Sequence, residues 1–139
     1  MDEKQSFYIG VKGIIRSSAG EIMILKDNSK GKWELPGGRI DRNQSIEQAL
    51  TREIGEEIIG ATMAKQGGLV DLALGEFEVK DNHRLLLLFY SIEVSLPESI
   101  ELSHEHSELA WVNKRSISGY EFYATDKAAI QKAFNDTTT

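Results

Sequence analysis

Residues Arg52-Glu53-Ile54-Gly55-Glu56-Glu57 set three carboxylates at relative positions 0, +3 and +4. Groups so spaced share one side of any helix they occupy. Their charges repel, so the helix gains nothing from them unless a cation sits between. A divalent metal fills that role, and a metal held by carboxylates usually serves phosphate chemistry. Upstream stands the turn Leu35-Pro36-Gly37-Gly38. Glycines there would let a metal or phosphate come close to the backbone; a tight turn after Pro36 is the plainer account.

The spacing predicts a helix from about Ser45 to Ile58, with Ser45 or Asn43 as N-cap. At about 100° per residue, Ile46, Ala49, Leu50, Ile54 and Ile58 form one apolar arc. Gln48, Thr51, Arg52 and Gly55 fall opposite. Glu53 and Glu57 project between Ala49 and Leu50, inside the apolar arc, and Glu56 lies at its edge. Carboxylates turned towards a core are costly unless paired or coordinated. Arg52 can pair with one of them but cannot neutralise three. Two readings follow: a metal site, or a salt-bridged acidic helix edge.

The run Gly38-(five residues)-Gln44-(seven residues)-Arg52-Glu53-Ile54-Gly55-Glu56-Glu57, led by Trp33-Glu34-Leu35-Pro36-Gly37-Gly38, resembles the signature box of the MutT-like Nudix hydrolases. The resemblance implies a metal-dependent pyrophosphohydrolase that cuts a nucleoside diphosphate linked to another group, with Mg2+ or Mn2+ as cofactor and a small nucleotide as substrate. It implies Glu53 and Glu57 as metal ligands and Glu56 as a further ligand or orienting base. The carbonyl of Gly37 or Gly38 would complete the metal shell, Arg52 would orient a catalytic glutamate, and Gly38 and Arg39 would meet substrate. Glu105 is the preferred general base or extra ligand from the patch His104-Glu105-His106-Ser107-Glu108, with Glu108 in reserve. A solvated loop is the alternative for that patch. Its two histidines make a weak zinc site, lying two residues apart in a loop without an evident third ligand.

Two positions depart from the family pattern. Gln44 stands where a glutamate is usual, and Ile59 where glycine is usual, with Gly60 one residue late. Glutamine can still hydrogen-bond in the loop, and Gly60 would serve as a helix C′ residue displaced by one. These departures keep open a catalytically weak Nudix domain acting as a nucleotide sensor. An isomerase on a diphosphate ester, which the fold also supports, would need a site cysteine, and the chain has none.

The elements that must position these residues read as follows. Phe7 to Ile15 is a first strand, Ser17 to Gly20 a turn and Glu21 to Leu25 its hairpin partner. Asp27 to Lys32 is a polar loop. Beyond the acidic helix, residues 69–79 and 85–94 form two strands joined around Lys80-Asp81-Asn82-His83, and Ala110-Trp111-Val112 a short third. Thr125 to Phe134 is a helix with Thr125 as N-cap. Mixed strands with two main helices imply an α/β fold, which the resemblance specifies as the Nudix α/β/α sandwich around a mixed β-sheet. Residues 1–139 are expected to be a single Nudix hydrolase domain. Of the aromatic residues, Tyr8, Trp33, Phe77, Phe89, Tyr90 and Trp111 suit the core. The connection Tyr120-Glu121-Phe122-Tyr123 is the better place for base stacking, and the hairpin pair His83-Arg84 suits either solvent or phosphate.

Composition narrows the function classes. At 139 residues and 40% hydrophobic content the chain can bury a real core and is not disordered. The absence of cysteine excludes disulfides and thiolate metal sites. No membrane-length apolar run and no signal-peptide pattern is present, so a cytoplasmic location is expected. A formal net charge of −6 argues against broad nucleic-acid binding, while a small anion could still bind through a bridging metal. The sequence leaves substrate identity and oligomeric state open, although a homodimer would suit the family.

Overall fold

The computed structural model describes residues 3–75 and 80–136. The elements are β1 (Ser6–Ile15), β2 (Ile22–Asp27), β3 (Trp33–Glu34), β4 (Gly37–Arg39), α1 (Ile46–Glu57), β5 (Thr62–Leu74), β6 (His83–Ser95), β7 (His106–Val112) and α2 (Ala124–Asn135). They build an α/β sandwich with two sheets. One is mixed, in the order β4-β1-β6-β5, with β1 and β6 parallel; the other is β3-β2-β7, all antiparallel.

Two apolar clusters account for this arrangement. Ile14, Ile22, Ile24, Leu35, Phe89, Val112 and Ile130 pack together on the α2 side. Val11, Ile15, Met23, Leu25, Leu50, Ile54 and Ile92 pack on the α1 side. Alternate residues of β1 and β2 thus enter different clusters, so both faces of each strand are covered. This overturns the expected β1–β2 hairpin. The strands touch at the single bridge Arg16–Ile22 and then diverge into separate sheets. β6 pairs along one edge of β1 from Ser6 to Ile15, and on the other edge β4 pairs with Gly10–Lys12 while the Pro36 carbonyl accepts the Gly13 N–H, so β2 meets β1 only beside the turn.

The first helix forms where the spacing predicts. Ser45 Oγ accepts the Gln48 N–H at 3.1 Å, and Gln48 Oε1 accepts the Ser45 N–H at 2.8 Å, a reciprocal capping box. Ala49, Leu50, Ile54 and Ile58 are buried and Ile46 partly so, as the apolar arc requires. The helix exit differs from expectation. Ile58 is the C-cap, and Gly60 is not the C′ residue. It takes its left-handed conformation (φ 86°) inside a turn that the Ala61 N–H closes onto the Ile58 carbonyl.

Three further boundaries move. β5 begins at Thr62, seven residues before the expected start, because irregular pairing around Gln66, Leu69 and Asp71 hides its period. β7 begins at His106, so this residue belongs to a strand. α2 is capped by Tyr123 without a side-chain bond, and Thr125 lies inside the first turn, where its hydroxyl bonds Asp126. Phe77 and the end of the expected 69–79 strand lie outside the described residues. Among the described residues no helix is long and apolar enough to cross a membrane.

The capping box gives a direct check on how α1 is held. Ser45→Ala should lower stability by about 1 kcal/mol, read as a shift in the urea midpoint with an unchanged slope. A shift indistinguishable from zero would mean that tertiary packing alone fixes the start of the helix.

Candidate functional site

The acidic face of α1 meets the Gly37–Gly38 turn across a cleft of about 600 Å³, whose lining includes Glu34, Glu57 and Glu105. Gly37 is required where it stands. Its φ is 146°, and a Cβ there would lie 2.0 Å from the Val11 carbonyl oxygen. At Gly38 a Cβ would sit 2.4 Å from the carboxyl carbon of Glu53. Gly37 is therefore bare because β1 lies against it, and Gly38 because the Glu53 carboxylate does.

The three helix carboxylates separate into different environments. Glu56 is 61% exposed and pairs with Arg52 at 3.3 Å, as a salt-bridged helix edge would have it. The Glu53 side chain is 15% exposed and takes the same guanidinium at 2.9 Å. Glu57 is only 5% exposed, and its Oε2 accepts the Gly37 N–H at 2.7 Å. Burial pushes its carboxyl up to about 9 against the opposing pull of Lys12 and the Gly37 N–H, and Glu53 and Glu34 add to the rise. Burial likewise raises Glu53, with Arg52 opposing and Glu56 and Glu105 reinforcing. The inward projection of Glu53 and Glu57 is thus borne out, and most strongly for Glu57.

Around Glu57 lies a polar network that the sequence did not reveal. Lys12 Nζ, buried, donates to Glu34 Oε1 at 2.9 Å and to the Leu35 carbonyl at 3.0 Å, and lies 3.2 Å from Asp126 Oδ2. Asp126 Oδ2 also accepts the Leu35 N–H at 2.8 Å. His106 Nε2 is 3.0 Å from Glu34 Oε2 and 3.7 Å from Glu57 Oε1. Despite burial, the His106 and Lys12 contacts hold the Glu34 carboxyl below its ordinary range. The signal for Lys12 was present: a lysine inside the apolar run of β1, on the face that also carries Ile14. His106 was masked by the polar residues around it.

The second acidic patch is drawn to α1 by the backbone. Ser103 N–H donates to the Glu57 carbonyl at 3.0 Å and Ile59 N–H to the Glu101 carbonyl at 2.9 Å. Asn28 N–H donates to the Glu105 carbonyl at 2.9 Å, and the Asn28 amide donates to the His104 carbonyl. Glu105 lines the cleft and adds to the field raising Glu53, whereas Glu108 is 59% exposed and pairs with Lys26. His104 and His106 both line the cleft, but His106 is engaged by Glu34.

Of the remaining candidates, Arg52 bridges Asp41, Glu53 and Glu56. Gln44 Oε1 accepts the Asp41 N–H at 2.9 Å and lies 3.4 Å from Arg52 Nη2, so it keeps the loop-shaping role expected of it. Arg39 stands at the cleft, over Tyr8. Within the 120–123 connection the expectation divides: Phe122 is core, while Tyr123 lines the cleft and hydrogen-bonds Asp27. Arg84 bonds the Gly75 carbonyl.

Among the described residues, no three His, Asp or Glu side chains converge as a ready-made metal cage. The donor set nonetheless fits a hard divalent cation. Two buried or half-buried carboxylates, Glu53 and Glu57, are made harder to ionise by burial first and by neighbouring carboxylates second, beside a bare backbone turn.

The NUDIX domain model matches residues 7–133. The chain is 36% identical over 98 residues to the 8-oxo-dGTP diphosphatase of Proteus vulgaris, covering 67% of this chain and 82% of that protein. It is 27% identical over 129 residues to the Haemophilus influenzae 8-oxo-dGTP diphosphatase, covering 90% of each. It is 23% identical to the nucleoside triphosphatase NudI of Klebsiella pneumoniae, covering 73% of this chain and 76% of that one. The crystal structure of a MutT protein from Methanosarcina mazei superposes with a TM-score of 0.78 at 25% identity, covering 99% of this chain and 100% of that one.

The charge on Glu57 makes a stability prediction. A carboxyl raised by folding favours the protonated state in the fold. Its contribution is fully present below the ordinary value of 4.5 and is lost as pH rises towards about 9. In chelator, Glu57→Gln should therefore match the wild type near about pH 5 and melt above it by about pH 8. Parallel melting curves across that range would show that Glu57 is not held against its ionisation.

Proposed function

Since the chain belongs to the Nudix family, we propose that it is a divalent-cation-dependent pyrophosphohydrolase acting on a nucleoside triphosphate or a related nucleotide. The observation that carries this reading is the buried Glu57 carboxylate, set beside Glu53 and facing the bare Gly37–Gly38 backbone in an open cleft. The relatives named as 8-oxo-dGTP diphosphatases and as a nucleoside triphosphatase support a triphosphate as the substrate class. The same reading takes residues 1–139 as one Nudix domain, in keeping with a family match over residues 7–133.

Glu53, Glu57 and the Gly37 carbonyl would hold the cation, with Glu56 as a further ligand from the helix edge. When bound, Mg2+ or Mn2+ supplies charge neutralisation for the phosphate oxygens and acidifies a water molecule. The chain's own groups do the rest. Arg52 keeps Glu53 and Glu56 in place through its ion pairs, at 2.9 and 3.3 Å. Glu105, tied to α1 by the Ser103–Glu57 backbone bond, takes the proton of the attacking water as general base. Gly38, whose bare side admits the Glu53 carboxylate, would offer its backbone to the pyrophosphate, and Arg39 would meet an outer phosphate. His106 and Lys12 keep Glu34 ionised and hold the cleft floor.

Release of phosphate or pyrophosphate from a panel of nucleotides, with and without magnesium, tests the reading directly. Turnover of at least one triphosphate should occur only with the metal. No turnover alongside tight, metal-dependent binding would instead make the chain a nucleotide sensor.

The site assignment has its own check. Glu57→Gln should lower kcat about 100-fold or more with the fold retained. Glu105→Gln should cost about 100-fold in kcat, while Glu108→Gln leaves it within about twofold because an exposed ion pair contributes little. The opposite order for the last two would transfer the base to Glu108.

A further inference from the structure

Resting on the reading above, we infer that Tyr8 is a positioning residue: backed by His83, its ring holds the Arg39 guanidinium at the cleft, where it takes a phosphate of the substrate. The register of β1 and β6 sets this up. Ser6 pairs with His83, Tyr8 with Leu85 and Gly10 with Leu87. Side chains alternate along a strand, so Tyr8, Gly10 and Lys12 share one face with His83, Leu85 and Leu87. Gly10, Lys12, Leu85 and Leu87 line the cleft. Tyr8 and His83 therefore extend its floor outward by one residue on each strand.

Arg39 is fixed independently at backbone and side chain. β4 pairs Arg39 with Gly10, and the Arg39 carbonyl accepts Arg52 Nη2 at 3.2 Å. Its guanidinium carbon lies 4.7 Å from the centre of the Tyr8 ring. That ring is stacked on His83, with centroids 4.6 Å apart, and His83 Nδ1 lies 2.8 Å from the Asp81 carbonyl. The cation is thus supported by an aromatic pair anchored in the neighbouring strand.

The contrast with Arg52 shows what the arrangement leaves available. Arg52 is surrounded by Asp41, Glu53 and Glu56, whereas among the described residues no carboxylate pairs with Arg39. An aromatic face steadies a guanidinium without occupying its N–H donors. Held this way, Arg39 offers its planar fork to phosphate oxygens, the geometry in which arginine binds best. A carboxylate in place of Tyr8 would hold the side chain as well but would cancel the charge the substrate needs.

Wild type, Tyr8→Phe, Tyr8→Leu, Arg39→Ala and the Tyr8→Leu/Arg39→Ala double variant, each with an unchanged melting midpoint, should be titrated with magnesium pyrophosphate and assayed on the best substrate of the panel. Tyr8→Leu should raise KM and the pyrophosphate Kd about two- to fivefold, the range of an exposed cation–π contact, with kcat unmoved. Tyr8→Phe keeps a ring and should restore both. Once Arg39 is gone, Tyr8→Leu should add nothing. Equal losses in the Phe and Leu variants, a fall in kcat in place of KM, or additive effects in the double variant would overturn the assignment. If the wild type turns over no nucleotide, the hydrolase reading falls, and the pyrophosphate titrations still decide whether Tyr8 acts through Arg39.

Discussion

A carboxylate that folding has taken out of water needs partners, and Glu57 draws them from separate parts of the chain. The Gly37 N–H reaches it from the turn at 2.7 Å, and His106 approaches from β7 at 3.7 Å. Lys12 acts on it from β1 through the interior. None of these groups is near Glu57 in sequence. Their meeting requires α1, both sheets and the glycine turn to be in place together, so one costly residue constrains the whole sandwich.

The polar network links the two sheets at the cleft wall, beside the apolar clusters that hold them together after β1 and β2 part. Lys12 belongs to the mixed sheet, Glu34 and His106 to the antiparallel one, and Asp126 to α2. Buried ion pairs add little net stability compared with well-packed apolar groups, but removing one member typically costs about 3–5 kcal/mol by stranding the others. Here they fix the relative position of three layers at the wall of the cleft. Leu35 takes part twice, its N–H bonding Asp126 and its carbonyl bonding Lys12. The turn that presents Gly37 and Gly38 is thereby tied to both β1 and α2.

What could be read from the sequence, and what could not, divides along the range of the interactions. The α1 wheel is a local property, and it places Glu53 and Glu57 on the inward side without reference to packing. The capping residue Ser45 and the bare turn were legible for the same reason. The parting of β1 and β2 is not legible locally, because strand pairing is decided by competition for edges, which the short turn at Ser17–Gly20 does not report. His106 escaped because its neighbours are polar, whereas its burial depends on Glu34 in a distant strand. Lys12 was legible in principle, since a charged residue on a core face signals a partner, but nothing local names that partner.

Gln44 shows how a departure from the family pattern can be absorbed. A glutamate at this position would bring an acceptor oxygen for the loop and a negative charge for Arg52. The acceptor survives, because the glutamine carbonyl takes the Asp41 N–H at 2.9 Å. The charge is supplied by Asp41, whose carboxylate lies 3.3 Å from Arg52 Nη2. Arg52 therefore still faces three carboxylates and still holds Glu53 and Glu56 at the edge of the cleft. The geometry that presents the acidic face of α1 depends on the acceptor at residue 44 and on the charge near Arg52, and these need not come from the same side chain.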